Sequence, residues 1–305
     1  MSAAALNAIS VDVEDWLQST IDPELPLTDR FHHSTRLVLE AFAKRDVKST
    51  CFILGLAAEK APDLVREIRA AGHEIQSHGY GHRLVYTQTP EQFRQDIDRA
   101  RKLLEDMTGT RITGYRAPAF SITRQNLWAL DVLLETGHEY DSSIFPLRTR
   151  RYGIPDAPRH PHRARTPAGN LITELPVASC NLWGRRLPIG GGGYFRLFPY
   201  GLIRRGVRQI NTESQPATIY MHPYEYDPIE FDQLDYPVPW KMRLHQGLGR
   251  RGFPAKIDRL LLDFRFGTMG EVIDSLGELP VYDYGAAGQP AAWRAAESPP
   301  PSSGA

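Results

Sequence analysis

Apolar and polar residues alternate from Ala8 to Val13, with Ile9, Val11 and Val13 on one side and Ser10, Asp12 and Glu14 on the other. That period of two predicts a short strand ending in acid. A helical stripe follows over Arg36 to Arg45, then a β-rich run from Ser49 to Leu54. A second helix pattern fills Pro62 to Ala70 and stops at Gly72, and His73 to Ser77 reads as the next strand. The clearest helix spans Pro90 to Met107. Thr89 supplies its N-cap, Pro90 its first turn and Gln92 the capping-box position; Phe93, Ile97, Leu104 and Met107 form the buried stripe, and Gly109 the stop. Further strands are predicted before Tyr115 and over Leu171 to Val177, Thr218 to Met221 and Pro280 to Tyr282, with another helix over Arg124 to Thr136. Strands alternating with helices predict an α/β fold with a mainly parallel sheet, in which functional residues gather at the carboxyl ends of strands.

Composition narrows the function classes. Lys plus Arg and Asp plus Glu both count 36 among 305 residues, a balance that argues against a global nucleic-acid or membrane footprint. At 41% hydrophobic the chain can bury one substantial core, and no apolar run approaches the length of a membrane span. The opening MSAAALNAIS lacks a basic start and leads into acidic VDVEDW, so no secretory signal is expected. Cys51 and Cys180 are too few for a disulfide framework or a thiolate zinc site. The expectation is a reduced, cytoplasmic protein, with a peripheral place at the inner membrane left open. Gly, Ala, Pro and Ser fill 17 of the 21 residues from 285 to 305, which predicts a disordered tail after a single domain over 1–284. Between Arg148 and Arg165 six arginines face one acid, Asp156; this basic loop reads either as solvated surface or as a groove for an anionic substrate.

The strongest chemical signal is Ser77-His78-Gly79-Tyr80-Gly81-His82. Two imidazoles four apart can meet one metal ion, and the glycines place them in a loop at a strand end. A zincin reading that starts at His73-Glu74 fails, because position 77 is Ser77. Asp12, Glu14 and Asp15 offer carboxylates for the same ion, since three acids in four residues repel unless a cation or proton is shared. Arg116 in Gly114-Tyr115-Arg116-Ala117-Pro118, Asp141 after another strand and His222 in Tyr220-Met221-His222-Pro223 stand at successive strand ends. Two motifs are set aside. The tetraglycine Gly190–Gly193 lacks the Lys-Ser or Lys-Thr of a phosphate loop, and His160-Pro161-His162 lacks neighbouring acids and reads as part of a flexible cover.

Taken in order, VDVEDW at 11–16, SHGYGH at 77–82, GYRAPAF at 114–120, YDSSIFP at 140–146 and YMHPYE at 220–225 resemble the polysaccharide deacetylases with a NodB homology domain, carbohydrate esterase family 4. PIGGGGYFRLFPY at 188–200 and RLLLDFRFGTM at 259–269 further resemble the subfamily found with exosortase and PEP-CTERM exopolysaccharide loci. The resemblance implies a distorted (β/α) barrel, mainly parallel, with a core over about 6–225 and a subfamily-specific C-terminal part over about 155–283 packed on it. It implies one divalent metal, zinc with cobalt or nickel as alternatives, held by His78, His82 and a carboxylate. A gapless match makes Glu14 the base and Asp15 the ligand, whereas an Asp-x-Asp pattern makes Asp12 the base and Glu14 the ligand. The assignment carried forward is Asp12 as base and Asp15 as ligand, with Glu14 the rival for either role.

On that reading Arg116 orients Asp12, His222 protonates the leaving amine, Asp141 raises the pKa of His222, and Tyr115, Pro118, Tyr140 and Ser142 contact substrate. The implied activity is N-deacetylation of an acetamido sugar, carrier-linked or not, in exopolysaccharide synthesis. The basic loop with Arg204, Arg205, Arg208, Arg250 and Arg251 would engage a diphosphate carrier or an acidic sugar. The rivals are a hydrolase of another C–N bond, such as a cyclic amide, and a non-catalytic carbohydrate-binding protein. The oligomeric state stays open.

Overall fold

The computed structural model describes residues 5–149 and 152–284. The predicted tail at 285–305 and Arg150 and Arg151 of the basic loop lie outside these described residues. Among the described residues twelve strands form, in chain order: β1 Leu6–Val13, β2 Thr50–Ile53, β3 Glu74–Ser77, β4 Gly114–Tyr115, β5 Tyr140–Asp141, β6 His162–Arg165, β7 Leu171–Glu174, β8 Ser179–Leu182, β9 Arg185–Pro188, β10 Thr218–Met221, β11 Arg265–Gly267 and β12 Val281–Asp283. The main sheet runs β10-β1-β2-β3-β4-β5-β7-β6-β12, with β11 also on β1, and β8–β9 is a separate hairpin. Every pairing in the main sheet is parallel except β6 with β7. The fold is therefore α/β with a mainly parallel sheet; among the described residues its hydrogen bonds trace an open path. Strands from both ends of the chain flank β1, so the C-terminal part completes the sheet.

Strand alternation divides the side chains. Ile9, Val11, Val13 and Ile53 pack on the outer, helix-covered face, beside Phe31, Val38 and Phe42 of the helix Arg30–Ala43. Ala8, Phe52 and Tyr140 meet on the inner face, to which Ser10 and Asp12 also belong by alternation. The helix Pro90–Thr108 forms where its signals place it, with both halves of the Thr89/Gln92 capping box made and Gly109 left-handed at φ +61°. Phe93, Ile97, Ala100 and Leu104 are its buried stripe, each large apolar side chain stabilising the fold by roughly 1.5–3 kcal/mol. The predicted helix over Arg124 to Thr136 divides instead into a 3₁₀ turn, Arg124–Asn126, and the helix Trp128–Glu135.

Two glycine positions are dictated by sterics. A β-carbon on Gly114 would stand 2.1 Å from the Tyr140 ring, and one on Gly191 would stand 2.0 Å from the Tyr220 carbonyl oxygen. The tetraglycine thus lets the chain pass close against β10, where Gly191 pairs with Tyr220. Its role is close packing.

The His160–His162 segment is not a flexible cover. His162 lies buried in β6, where Nδ1 bonds the His160 carbonyl at 2.9 Å and Nε2 bonds the Tyr284 hydroxyl at 2.8 Å. That geometry suits a neutral ring, and burial pushes its pKa down to about 4. An unfolded histidine titrates near 6.5. The folded pKa is depressed, so this contribution is complete above about pH 6.5 and is lost as pH falls toward 4, amounting to about 3 kcal/mol. His162→Asn is expected to flatten that part of the stability curve; equal slopes for variant and wild type in urea melts across this range would refute it.

Candidate metal centre and its acid–base partners

Glu14 directly follows β1, while His78 and His82 come from the loop after β3. Glu14 Oε2 lies 3.3 Å from His78 Nε2 and 2.9 Å from His82 Nε2. One ligand atom from each residue falls within 4.8 Å of the others, and all three residues are buried. The His78 Nδ1 stands 2.7 Å from the Arg116 carbonyl, so it donates there and turns the Nε2 lone pair to the cluster. Two imidazole nitrogens and one carboxylate, with the tautomer of one ring already fixed, fit a zinc-type divalent ion. Burial would push the Glu14 pKa up, but the charges of His82 beside it and of His222 hold it well below the usual carboxylate range.

The loop that carries the histidines is tightly tied. His82 adopts φ +57° and Gly79 φ +78°. Asp96, from the helix Pro90–Thr108, accepts from the backbone N–H of Tyr80 at 2.7 Å and of Gly81 at 3.3 Å. A left-handed histidine is costly, and such strain gathers at functional positions.

Asp15, expected as the metal ligand, is turned away from the histidines. Its Oδ1 accepts from the Leu17 N–H at 2.9 Å and caps the helix Trp16–Thr20, while its Oδ2 accepts from the Thr28 N–H at 3.0 Å and from the Thr28 hydroxyl. The chain leaves the sheet at this point, so the carboxylate serves orphan helix N–H groups. The structure brings Glu14 to the histidines instead.

Asp12, two residues earlier, pairs with Arg116 at 2.7 Å, both side chains being buried. Arg116 also donates to Ser10 Oγ at 2.7 Å, Ser142 Oγ at 2.9 Å and the Ser142 carbonyl at 3.2 Å, and its guanidinium lies over the Phe52 ring. The buried guanidinium is thus held on every side, and Asp12 balances its charge.

His222, at the end of β10, brings Nε2 to 3.7 Å from Glu14 Oε1. Its ring stacks on Tyr224 at 4.8 Å and meets Tyr220 edge-on at 5.4 Å. Burial opposes its charge, yet Glu225, Glu14 and Asp12 together raise its pKa above the usual imidazole value. Glu225 lies 3.6 Å from Nδ1 and is itself held by Arg196 at 3.0 Å.

Asp141 does not tune His222. In register it sits between Tyr115 and Glu174, on the outer face, and Ser143 donates to it. Burial pushes its pKa up to about 6. Ser143 also accepts from the Ala117 N–H at 2.7 Å, so Asp141 braces the turn after Arg116. The four expected substrate contacts are likewise buried. Tyr115 packs against Phe93 and His138 on the helix side, and the Tyr140 hydroxyl donates to Glu74 at 3.2 Å, at the opposite end of β3. Ser142 is occupied by Arg116 and by the Leu175 carbonyl, and Pro118 is enclosed at the start of a 3₁₀ turn. None of these side chains offers a face to a substrate. Sequence reasoning passed over Ser10, although it shares the face of Asp12, and Glu225, although it lies three residues after His222.

Comparison with known proteins gives this geometry a context. Residues 21–139 match the family described as polysaccharide deacetylase, and residues 142–274 match a domain of unknown function, DUF3473. Over 107 residues the chain is 31% identical to the peptidoglycan deacetylase of Helicobacter pylori, covering 35% of this chain and 36% of that protein. The chain thus spans about a third of the length of the curated relatives it matches. In fold it is similar to a Mycobacterium smegmatis protein provisionally described as a polysaccharide deacetylase, at TM-score 0.61 and 19% identity over 90% of this chain and 93% of that one. It is also similar to PuuE allantoinase, at TM-score 0.59 and 17% identity over 90% of each chain. The segment that matches the polysaccharide deacetylase family, residues 21–139, includes both histidines and Arg116.

Proposed function

We propose that this protein is a metal-dependent N-deacetylase that removes the acetyl group from an acetamido sugar. The observation that carries this reading is the convergence of Glu14, His78 and His82 beside an Arg116-held carboxylate and the His222 imidazole backed by Glu225. Glu14, His78 and His82 would hold the ion, with zinc suited to the donor set and cobalt or nickel able to replace it. A bound divalent ion would polarise the acetamide carbonyl and make water nucleophilic near neutral pH.

The chain's own groups move the protons. Asp12 commits Oδ1 to Arg116, which leaves Oδ2 to receive the proton of the attacking water. His222, charged with the help of Glu225, delivers a proton to the departing amine, a poor leaving group without one. Assignment of the sugar to exopolysaccharide synthesis, carrier-linked or not, is supported by the subfamily resemblance at 188–200 and 259–269.

The test is acetate release by the metal-loaded chain from acetamido-sugar oligomers, run beside cyclic amides. Acetate that appears with metal and stops with chelator is the expected result. Opening of a cyclic amide without acetate release, or sugar binding without hydrolysis, would overturn the reading.

A further inference from the structure

Beside the site, over the same end of the sheet, stands a helix that no other part of the described chain covers. The helix Trp240–Gly247 contains no buried residue. Its inner side is anchored: Met242 packs on the cluster of Trp16, Leu17, Tyr224 and Phe231, residues that follow closely on Glu14 and His222. Arg196, which holds Glu225, also donates to the Gln246 carbonyl. Its outer side carries Trp240 and Leu244, spaced by four and therefore on one face, and Leu248 caps its C-terminal end, with 69%, 63% and 56% of their surfaces exposed. Leu197, 52% exposed, follows Arg196, whose backbone lies against Gly249.

Charge identifies the occupant. Of the five cations from Tyr236 to Ile257, Arg250 is buried against Glu230 and Lys256 donates to the Arg196 and Phe198 carbonyls, which leaves Lys241, Arg243 and Arg251 at the surface. Lys241, Arg243, His245 and Arg251 are exposed around the apolar stripe. Arg243 is paired with Asp232, whereas no ion pair joins Lys241 or Arg251 to an acid among the described residues. An apolar stripe led by a tryptophan and rimmed by cations suits the interface of an anionic bilayer, where leucines enter the acyl boundary and cations meet lipid phosphates. No helix of the described residues is long and apolar enough to cross a membrane, so the contact is with the surface.

We propose that the face of Trp240, Leu244 and Leu248 docks this protein on an anionic lipid surface and so holds the site beside the headgroups. The docking itself does not depend on the deacetylase reading. Together with that reading, it favours a substrate anchored in lipid.

The experiment is co-sedimentation of the full chain with vesicles of phosphatidylcholine alone and of phosphatidylcholine mixed with phosphatidylglycerol. Binding to the mixed vesicles that weakens with added salt is expected, with a loss of about tenfold or more in the double variant Trp240→Ala/Leu244→Ala. Trp183→Ala, which removes an exposed tryptophan from the β8–β9 turn, should bind as wild type does. The charge-reversed pair Lys241→Glu/Arg251→Glu gives a second, independent loss, and circular dichroism confirms that each variant is folded. Equal sedimentation of wild type and double variant, or equal binding to neutral and anionic vesicles, would overturn the proposal. So would a dimer that the double variant abolishes in a protein that ignores vesicles, since the face would then belong to a second copy.

Discussion

Arg116→Met is expected to destabilise the fold by about 3–5 kcal/mol and to abolish turnover, because it strands Asp12 as an unpaired charge in the interior. The pair is buried on both sides, and Ser10 and Ser142 lose the same donor, so no water-facing rearrangement can compensate. The companion Asp12→Asn/Arg116→Met removes both charges and should regain much of the lost stability, because the penalty lies in the orphaned charge. It should not regain activity, because Asp12 is the proposed base. Urea melts of the two variants separate these effects. A single-variant loss below about 1 kcal/mol would mean that the pair behaves like a solvent-screened surface bridge and does not anchor the site.

His222→Ala should lower the catalytic rate by about 10²–10⁴-fold while leaving metal content close to that of the wild type. The imidazole stands beside Glu14 without belonging to the tight Glu14–His78–His82 group. Its surroundings are those of an acid: Glu225 stands 3.6 Å from Nδ1, Tyr224 fixes its plane, and its side chain remains 18% exposed, open to a substrate. Single-turnover rates and elemental analysis on the same preparation test the division of labour. Joint loss of metal and rate would show that His222 is a ligand and would remove the proposed acid.

The parts of the fold written in local chemistry were legible in the sequence. The period-two run of β1, the Thr89 capping box and the Gly109 stop each act within a few residues, and each appears where expected. The alternation along β1 also carried the correct grouping of Asp12 with Glu14, which directly follows the strand. Asp15 misled because what turns it, the cap of a five-residue helix and a bond to Thr28, depends on where the chain goes after the strand. Asp141 misled for a related reason. Its sequence position gives a strand end, but its face is set by register with Tyr115 and Glu174, a long-range fact. Glu225 was hidden because its two partners, His222 and Arg196, are joined by a fold that brings residues 196 and 225 together.

The account turns on which carboxylate completes the metal site, and elemental metal analysis of three purified proteins decides it. Wild type and Asp15→Asn should each hold close to one zinc or cobalt per chain after reconstitution, while Glu14→Gln should lose it. Retention in Glu14→Gln together with loss in folded Asp15→Asn, or no metal in the wild type, would contradict the central claim.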